Sequence, residues 1–206
     1  MKILALADTE EPFLWDYYSA AKVKDVDLIL SCGDLKKEYL EFLVTMINRP
    51  LLYVHGNHDE RFESDPPLGC DCIDDKVVEV CGYRIGGLGG SMRYRPDAKY
   101  MYTERKMSQR VAKLRRQIKK AGGIDILVTH APASDWGDLE DIAHQGFACF
   151  HEILKQDQPQ VMFYGHVHRS YGDFTREREY PGGIRLINAG GYYFLDLPDR
   201  RPSSSS

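Results

Sequence analysis

Leu51-Leu52-Tyr53-Val54-His55-Gly56-Asn57-His58-Asp59 passes without interruption from apolar residues to an amide, an imidazole and a carboxylate. Leu51 to Val54 has the composition of a buried strand, and Gly56 lets the chain turn directly after it. The same change occurs twice upstream. Ile3 to Ala7 is an apolar run followed by Asp8-Thr9-Glu10, and Leu28-Ile29-Leu30 leads to Gly33-Asp34. Between these runs, Pro12 suits the first turn of a helix that Phe13 to Val23 can continue. Glu38 to Ile47 reads as a second helix, closed by Asn48-Arg49-Pro50. Strand, helix, strand, helix, strand predicts a parallel sheet with crossover helices.

The pattern continues downstream. Val77 to Cys81 and Tyr83 to Leu88 flank Gly82 as a β-hairpin. Thr103 to Ala121 is the clearest helix, with Met107, Val111, Leu114 and Ile118 on one face and Gly122 as its stop. Ile124 to Val128 and Val161 to Tyr164 are further strands, joined through a helix near Phe147 to Lys155, and Ile184 to Ile187 with Tyr192 to Leu197 suggest a closing hairpin. No repeat or linker interrupts residues 1–198, so one domain is expected there, with 199–206, ending in four serines, as a disordered tail.

The chemistry-bearing residues sit just past five strand ends. To Asp8, Glu10, Asp34, Asn57, His58 and Asp59, the later strands add Thr129-His130 and Gly165-His166-Val167-His168. In a parallel sheet the carboxyl ends of the strands share one edge, where ligands bind. Carboxylates, an amide oxygen and imidazoles together suit one or two divalent ions such as Mn²⁺, Fe²⁺ or Zn²⁺. Asp8 and Glu10 are two residues apart, as are His166 and His168, so an extended backbone points each pair the same way. Thr9 and Val167 then point away.

In order and spacing, Asp8-Thr9-Glu10, Gly33-Asp34, Gly56-Asn57-His58-Asp59, His130 and Gly165-His166-Val167-His168 resemble the motif blocks of the calcineurin-like metallophosphoesterase superfamily, and Asn188-Ala189-Gly190-Gly191 is similar to its last turn. The resemblance covers residues 3–191. It implies two packed β-sheets flanked by helices, and hydrolysis of a phosphate ester, a phosphodiester or small nucleotide in an open site, by a hydroxide bridging two divalent metals. It also implies that Asp34 bridges the metals, that Asp8 and His168 bind the first, and that Asn57, His130 and His166 bind the second. His58 is then the acid that faces the substrate and protonates the leaving oxygen, with Asp59 supporting it from behind or capping a helix. Glu10 departs from the family pattern, which has histidine there. As a ligand of the first metal it favours Mn²⁺, Mg²⁺ or Fe²⁺ over Zn²⁺, so the expected cofactors are two divalent ions, Mn²⁺ foremost. The competing reading has Glu10 facing solvent or capping the helix that begins near Pro12.

Other features are weighed against plainer roles. Gly89-Gly90-Ser91-Met92-Arg93-Tyr94-Arg95 is a glycine-hinged loop. Its Arg93, Tyr94 and Arg95, with Arg169 after the last histidine pair, are candidate substrate contacts, since arginine forks onto phosphate and tyrosine stacks on rings. The basic residues of the Thr103 helix read as a solvated face. His55, His144 and His151 read as structural, and Trp15 and Trp136 as packing residues. Five cysteines without a secretion signal fit reduced thiols and a cytoplasmic setting, and Cys70-x-Cys72 lacks the second pair of a zinc site. A net charge of −4 gives no field towards nucleic acid, which argues against a nuclease, and no apolar run is long enough to cross a bilayer. The alternative to a hydrolase is a catalytically weak or inactive scaffold of the same fold. Metal content and cleavage of a nitrophenyl phosphodiester separate the two.

Overall fold

Strand β1 (Lys2–Ala7) is buried at every position from Ile3 onward, as a strand covered on both faces must be. Ile3, Ala5 and Ala7 face one apolar layer, Leu4 and Leu6 another, so the period of two partitions one strand between two cores. The computed structural model describes residues 1–171 and 174–198, with only the backbone of Arg169. The tail expected at 199–206 lies outside the described residues.

After β1 the chain forms α1 (Ala20–Val23), β2 (Leu28–Ser31), α2 (Lys37–Ile47), β3 (Leu51–Tyr53) and β4 (Asp71–Cys72). β5 (Val77–Val80) and β6 (Tyr83–Leu88) are the expected hairpin, and β7 (Ser91–Met92) and β8 (Met101–Tyr102) make a small ladder. There follow α3 (Glu104–Lys120), β9 (Ile126–Thr129), α4 (Phe150–Gln156), β10 (Val161–Tyr164), β11 (Glu177–Tyr180), β12 (Ile184–Asn188) and β13 (Gly191–Asp196). One sheet has the order β13-β1-β2-β3-β4, the other β11-β12-β10-β9-β6-β5.

The two sheets pack face to face as expected. Residues such as Leu30 and Val54 of the first meet Ile126, Val128, Phe163 and Ile187 of the second. Tyr39, Leu40 and Leu43 of α2 cover the outer face of the first sheet. Met107, Val111, Leu114 and Ile118 of α3, with Phe150, Ile153 and Leu154 of α4, cover the other. Two basic residues of α3 are not merely solvated: Arg110 is buried, bonded to Gly89 O (2.6 Å) and Asp75 (2.8 Å), and Arg115 reaches Asp157 (2.6 Å).

Two sequence expectations fail. The helix expected from Pro12 to Val23 is a single 3₁₀ turn, Pro12–Leu14, and the four-residue α1. Trp15 instead stacks on Tyr39, and Trp15 and Tyr18 both pack against Phe42, so this aromatic-rich stretch drapes over α2. The closing hairpin also does not form. β12 pairs with β10 and β11 in the second sheet, whereas β13 pairs with β1 in the first. The chain changes sheets at Asn188–Gly191, where Asn188 Oδ1 accepts from Gly190 N (2.8 Å) and Gly191 takes φ +74°.

Candidate metal centre

Asp8 follows β1, Asp34 follows β2, Asn57 and His58 follow β3, His130 follows β9, and His166 and His168 follow β10. Sandwich packing sets these strand ends along one rim, and three of the residues are held in unusual backbone. Asp8 (φ +63°), Asp34 (φ +56°) and His166 (φ +69°) occupy the left-handed region without being glycine. At Asp8 and His166 the chain makes tight γ-turns, Thr9 N to Ala7 O (2.6 Å) and Val167 N to Gly165 O (2.8 Å). Such strain persists where surrounding structure imposes it, and it concentrates at functional sites. Gly56 and Gly165 serve close approach rather than positive φ: a Cβ at either would collide with the Asp34 or the Asp8 carboxylate.

The centre is built around His130, which is fully buried. Its Nδ1 lies 2.7 Å from Cys32 O. A carbonyl only accepts, so the Nδ1 proton is committed there. Nε2 faces Asn57 Oδ1 (3.0 Å) and Asp34 Oδ2 (3.4 Å). His166 is fixed likewise, with Nε2 donating to Ala143 O (2.6 Å) and Nδ1 left as its lone-pair nitrogen. Donor atoms of Asp34, His130 and His166 lie within 4.8 Å of one another. The amide oxygen of Asn57, 3.0 Å from His130 Nε2, adds a further acceptor beside this group. Oxygen and imidazole donors so arranged fit a divalent ion.

The protonation tendencies reflect this crowding. Burial acts against charge on His130, but the Asp34 and Asp8 carboxylates and the Cys32 carbonyl raise its pKa to about 9. Burial would raise Asp34, yet His130 and the His58 amide hold it at about 2. Burial, with Asp34 nearby, pushes Asp8 up to about 7 and Asp59 to about 6. His166 falls to about 3 through burial beside His130.

Asp59 ties two strand ends together. Its Oδ2 accepts from Asp34 N (2.9 Å) and Gly56 N (2.7 Å), while Asp34 Oδ1 accepts from His58 N (2.8 Å). His58 is exposed and lines, with Asp34, Lys36 and Arg61, an open cavity of about 400 Å³. Asp8 and His168 line a neighbouring depression. Glu10 does not join the converging donors: its carboxylate accepts from Lys36 N (3.0 Å) and lies 3.5 Å from Lys36 Nζ. The left-handed turn at Asp8 breaks the extended geometry that would have pointed Asp8 and Glu10 the same way.

Arg93 is exposed, donates to Met101 O (3.4 Å) and lines a separate basic groove with Lys99, Arg105 and Lys106. Arg95 lies over the Tyr94 ring at 5.5 Å. Neither arginine is brought to the His130 cluster, and the Arg169 side chain lies outside what is described. His55 is stacked on Tyr100 and bonded to Asp74 (2.5 Å), and with Cys72 and Asp74 it forms a second group of clustered ligand-type atoms. The carbonyls of Cys32 and Ala143, which orient the two histidines, were not legible in sequence because a main-chain oxygen has no residue signature. Asp141 holds His144 Nδ1 (2.8 Å), and the His144 ring lies 5.2 Å from that of His166.

Comparison with known proteins shows the family and the fold. The model of the calcineurin-like phosphoesterase superfamily domain matches residues 1–196. The 3',5'-cyclic adenosine monophosphate phosphodiesterase CpdA of Pseudomonas aeruginosa is 30% identical over 174 residues, covering 79% of this chain and 59% of that protein. The chain thus spans less than two thirds of that relative. A protein of Thermus thermophilus superposes with a TM-score of 0.62 at 15% identity, covering 92% of this chain and 88% of its own. A dimetal phosphatase from Danio rerio gives 0.54 at 11% identity, covering 92% and 87%. At such identities the likeness is one of fold.

Proposed function

The chain belongs to the calcineurin-like phosphoesterase superfamily, and from that premise we propose that it hydrolyses a small phosphodiester or nucleotide at the Asp34–His130 centre in a metal-dependent reaction. One observation carries this reading: ligand atoms of Asp34, His130 and His166 lie within 4.8 Å of one another, with Asn57 Oδ1 3.0 Å from His130 Nε2 and the other ring nitrogen of each histidine on a main-chain carbonyl. Divalent ions bound there supply Lewis acidity and a water acidic enough to act as nucleophile near neutral pH. Asp34, Asn57, His130 and His166 would hold one ion, and Asp8 and His168 with Asp34 would hold the other. The cavity beside Asp34 receives the ester, open enough for a diester or nucleotide. His58, exposed on its wall, stabilises charge on the phosphoryl oxygens and gives a proton to the leaving oxygen. Asp59 keeps the Asp34 and Asn57 strand ends in register.

The cyclic-nucleotide phosphodiesterase relative favours a diester, and Mn²⁺ suits a donor set of carboxylate, amide and imidazole. The test is hydrolysis of bis(p-nitrophenyl) phosphate, 3',5'-cyclic AMP and p-nitrophenyl phosphate by protein stripped with a chelator and reloaded with Mn²⁺. Diester turnover present with Mn²⁺ and absent without it is the expected result. Metal-independent turnover, or none on any ester, would refute the proposal.

A further inference from the structure

We propose that the two ion positions are unequal: the position at Asp34, Asn57, His130 and His166 holds its ion firmly, and the position at Asp8, Asp34 and His168 holds its ion at least about tenfold more weakly, because Glu10 is committed to the start of α2. This rests on the metal-centre reading above and adds how that centre is loaded.

The firm position is preorganised. Its two histidines are buried and have their second ring nitrogens fixed by Cys32 O and Ala143 O. Orienting partners of this kind are each worth about 10–100-fold in metal affinity. The Nε2 of His130 already stands at hydrogen-bonding distance from Asn57 Oδ1 (3.0 Å). An ion entering there displaces at most a proton.

The other position is less complete. Both Asp8 oxygens accept from His166 N, at 3.0 and 2.9 Å. His168 is partly exposed, its ring against the edge of the exposed Tyr171 (5.1 Å). Neither residue falls within the compact group of Asp34, His130 and His166 among the described residues. A fourth ligand, beyond Asp8, Asp34 and His168, would have to come from residue 10. Lys36 is the N-cap residue of α2 and supplies no side-chain cap of its own. Glu10 provides that acceptor from 26 residues away, through Lys36 N, and also lies beside Lys36 Nζ. The γ-turn at Asp8 (φ +63°) fixes this direction. Glu10 could reach an ion only by leaving a helix terminus uncapped.

The test is calorimetric titration of the metal-free full chain with Mn²⁺, in the absence of any substrate, with metal content read by elemental analysis after gel filtration. Two binding constants separated by at least tenfold, and one retained ion, are expected. Glu10→Gln keeps an oxygen for Lys36 N and should change neither constant by tenfold. Glu10→His, placing an imidazole there, should strengthen the weaker constant by tenfold or more. Two equal constants in the wild type, a tenfold weakening in Glu10→Gln, or no gain in Glu10→His would each overturn the proposal while leaving the metal-centre reading intact. No Mn²⁺ binding at all would refute both.

Discussion

His130 carries a proton that an incoming ion must remove. Without metal its pKa is raised to about 9, because the burial that opposes charge is outweighed by Asp34, Asp8 and the Cys32 carbonyl. At pH 6–8 its Nε2 is therefore mostly protonated, and its lone pair becomes available only as pH rises towards 9. Apparent ion affinity should then fall as pH falls, by up to about tenfold per unit for this one proton. Asp8, raised to about 7, adds to the loss below neutrality. Mn²⁺ titrations at pH 6, 7 and 8, in buffers of different ionisation enthalpy, should show affinity increasing with pH and proton release on binding. A flat profile would mean that His130 is not displaced by metal. His58 is a contrasting case at the same scale, exposed and apart from the converging donors. As the proposed acid its replacement, His58→Ala, should lower turnover by about 10²–10⁴-fold and leave bound metal unchanged. Metal lost in that variant would contradict the assignment.

At the scale of elements, helices contribute mainly by being held in place. Thr103 caps α3, its Oγ1 accepting from Lys106 N (3.3 Å), a contact between residues three apart in the chain. Thr103→Ala should cost about 1 kcal/mol, lowering Tm by about 2–4 °C in a protein of this size. Thermal unfolding followed by circular dichroism measures this, and unchanged diester turnover at 25 °C would show that α3 supports the sheet rather than the site. The cap of α2 was not readable in the same way, because Glu10, its acceptor, lies 26 residues before Lys36. The helix expected at 12–23 failed for a related reason. Phe13, Trp15 and Tyr18 satisfy helical composition, but their rings are used on Tyr192, Tyr39 and Phe42 in other elements.

At the scale of the molecule, the inner faces of the two sheets form one apolar layer, with Ile3 and Leu30 on one side and Ile126 and Phe163 on the other. Neither sheet buries that face alone, so residues 1–198 should unfold as a unit. Near-ultraviolet and far-ultraviolet melting curves should coincide, and separate transitions would divide the chain into two folding units. The residues of the proposed centre follow strands of both sheets, so Mn²⁺ bound there should stabilise that whole unit. At a free ion concentration one hundred times Kd the gain is about 2.7 kcal/mol, visible as a higher Tm that a chelator reverses.

Apolar runs followed at once by Asp, Asn or His, at five places, determined the parallel strands and which polar residues stand at their carboxyl ends. This works because strand burial and the carboxyl-end rule are local in sequence and repeat in every strand. Tertiary structure alone decided three further matters. It sent β13 to β1 across the sandwich rather than back onto β12, since pairing partners are chosen by whole sheets. It oriented His130 and His166 through the carbonyls of Cys32 and Ala143. And it turned Glu10 from the His130 cluster to the start of α2: a single left-handed residue at Asp8 breaks the side-chain direction that the period of two implies, and nothing in the residue type of an aspartate announces a positive φ.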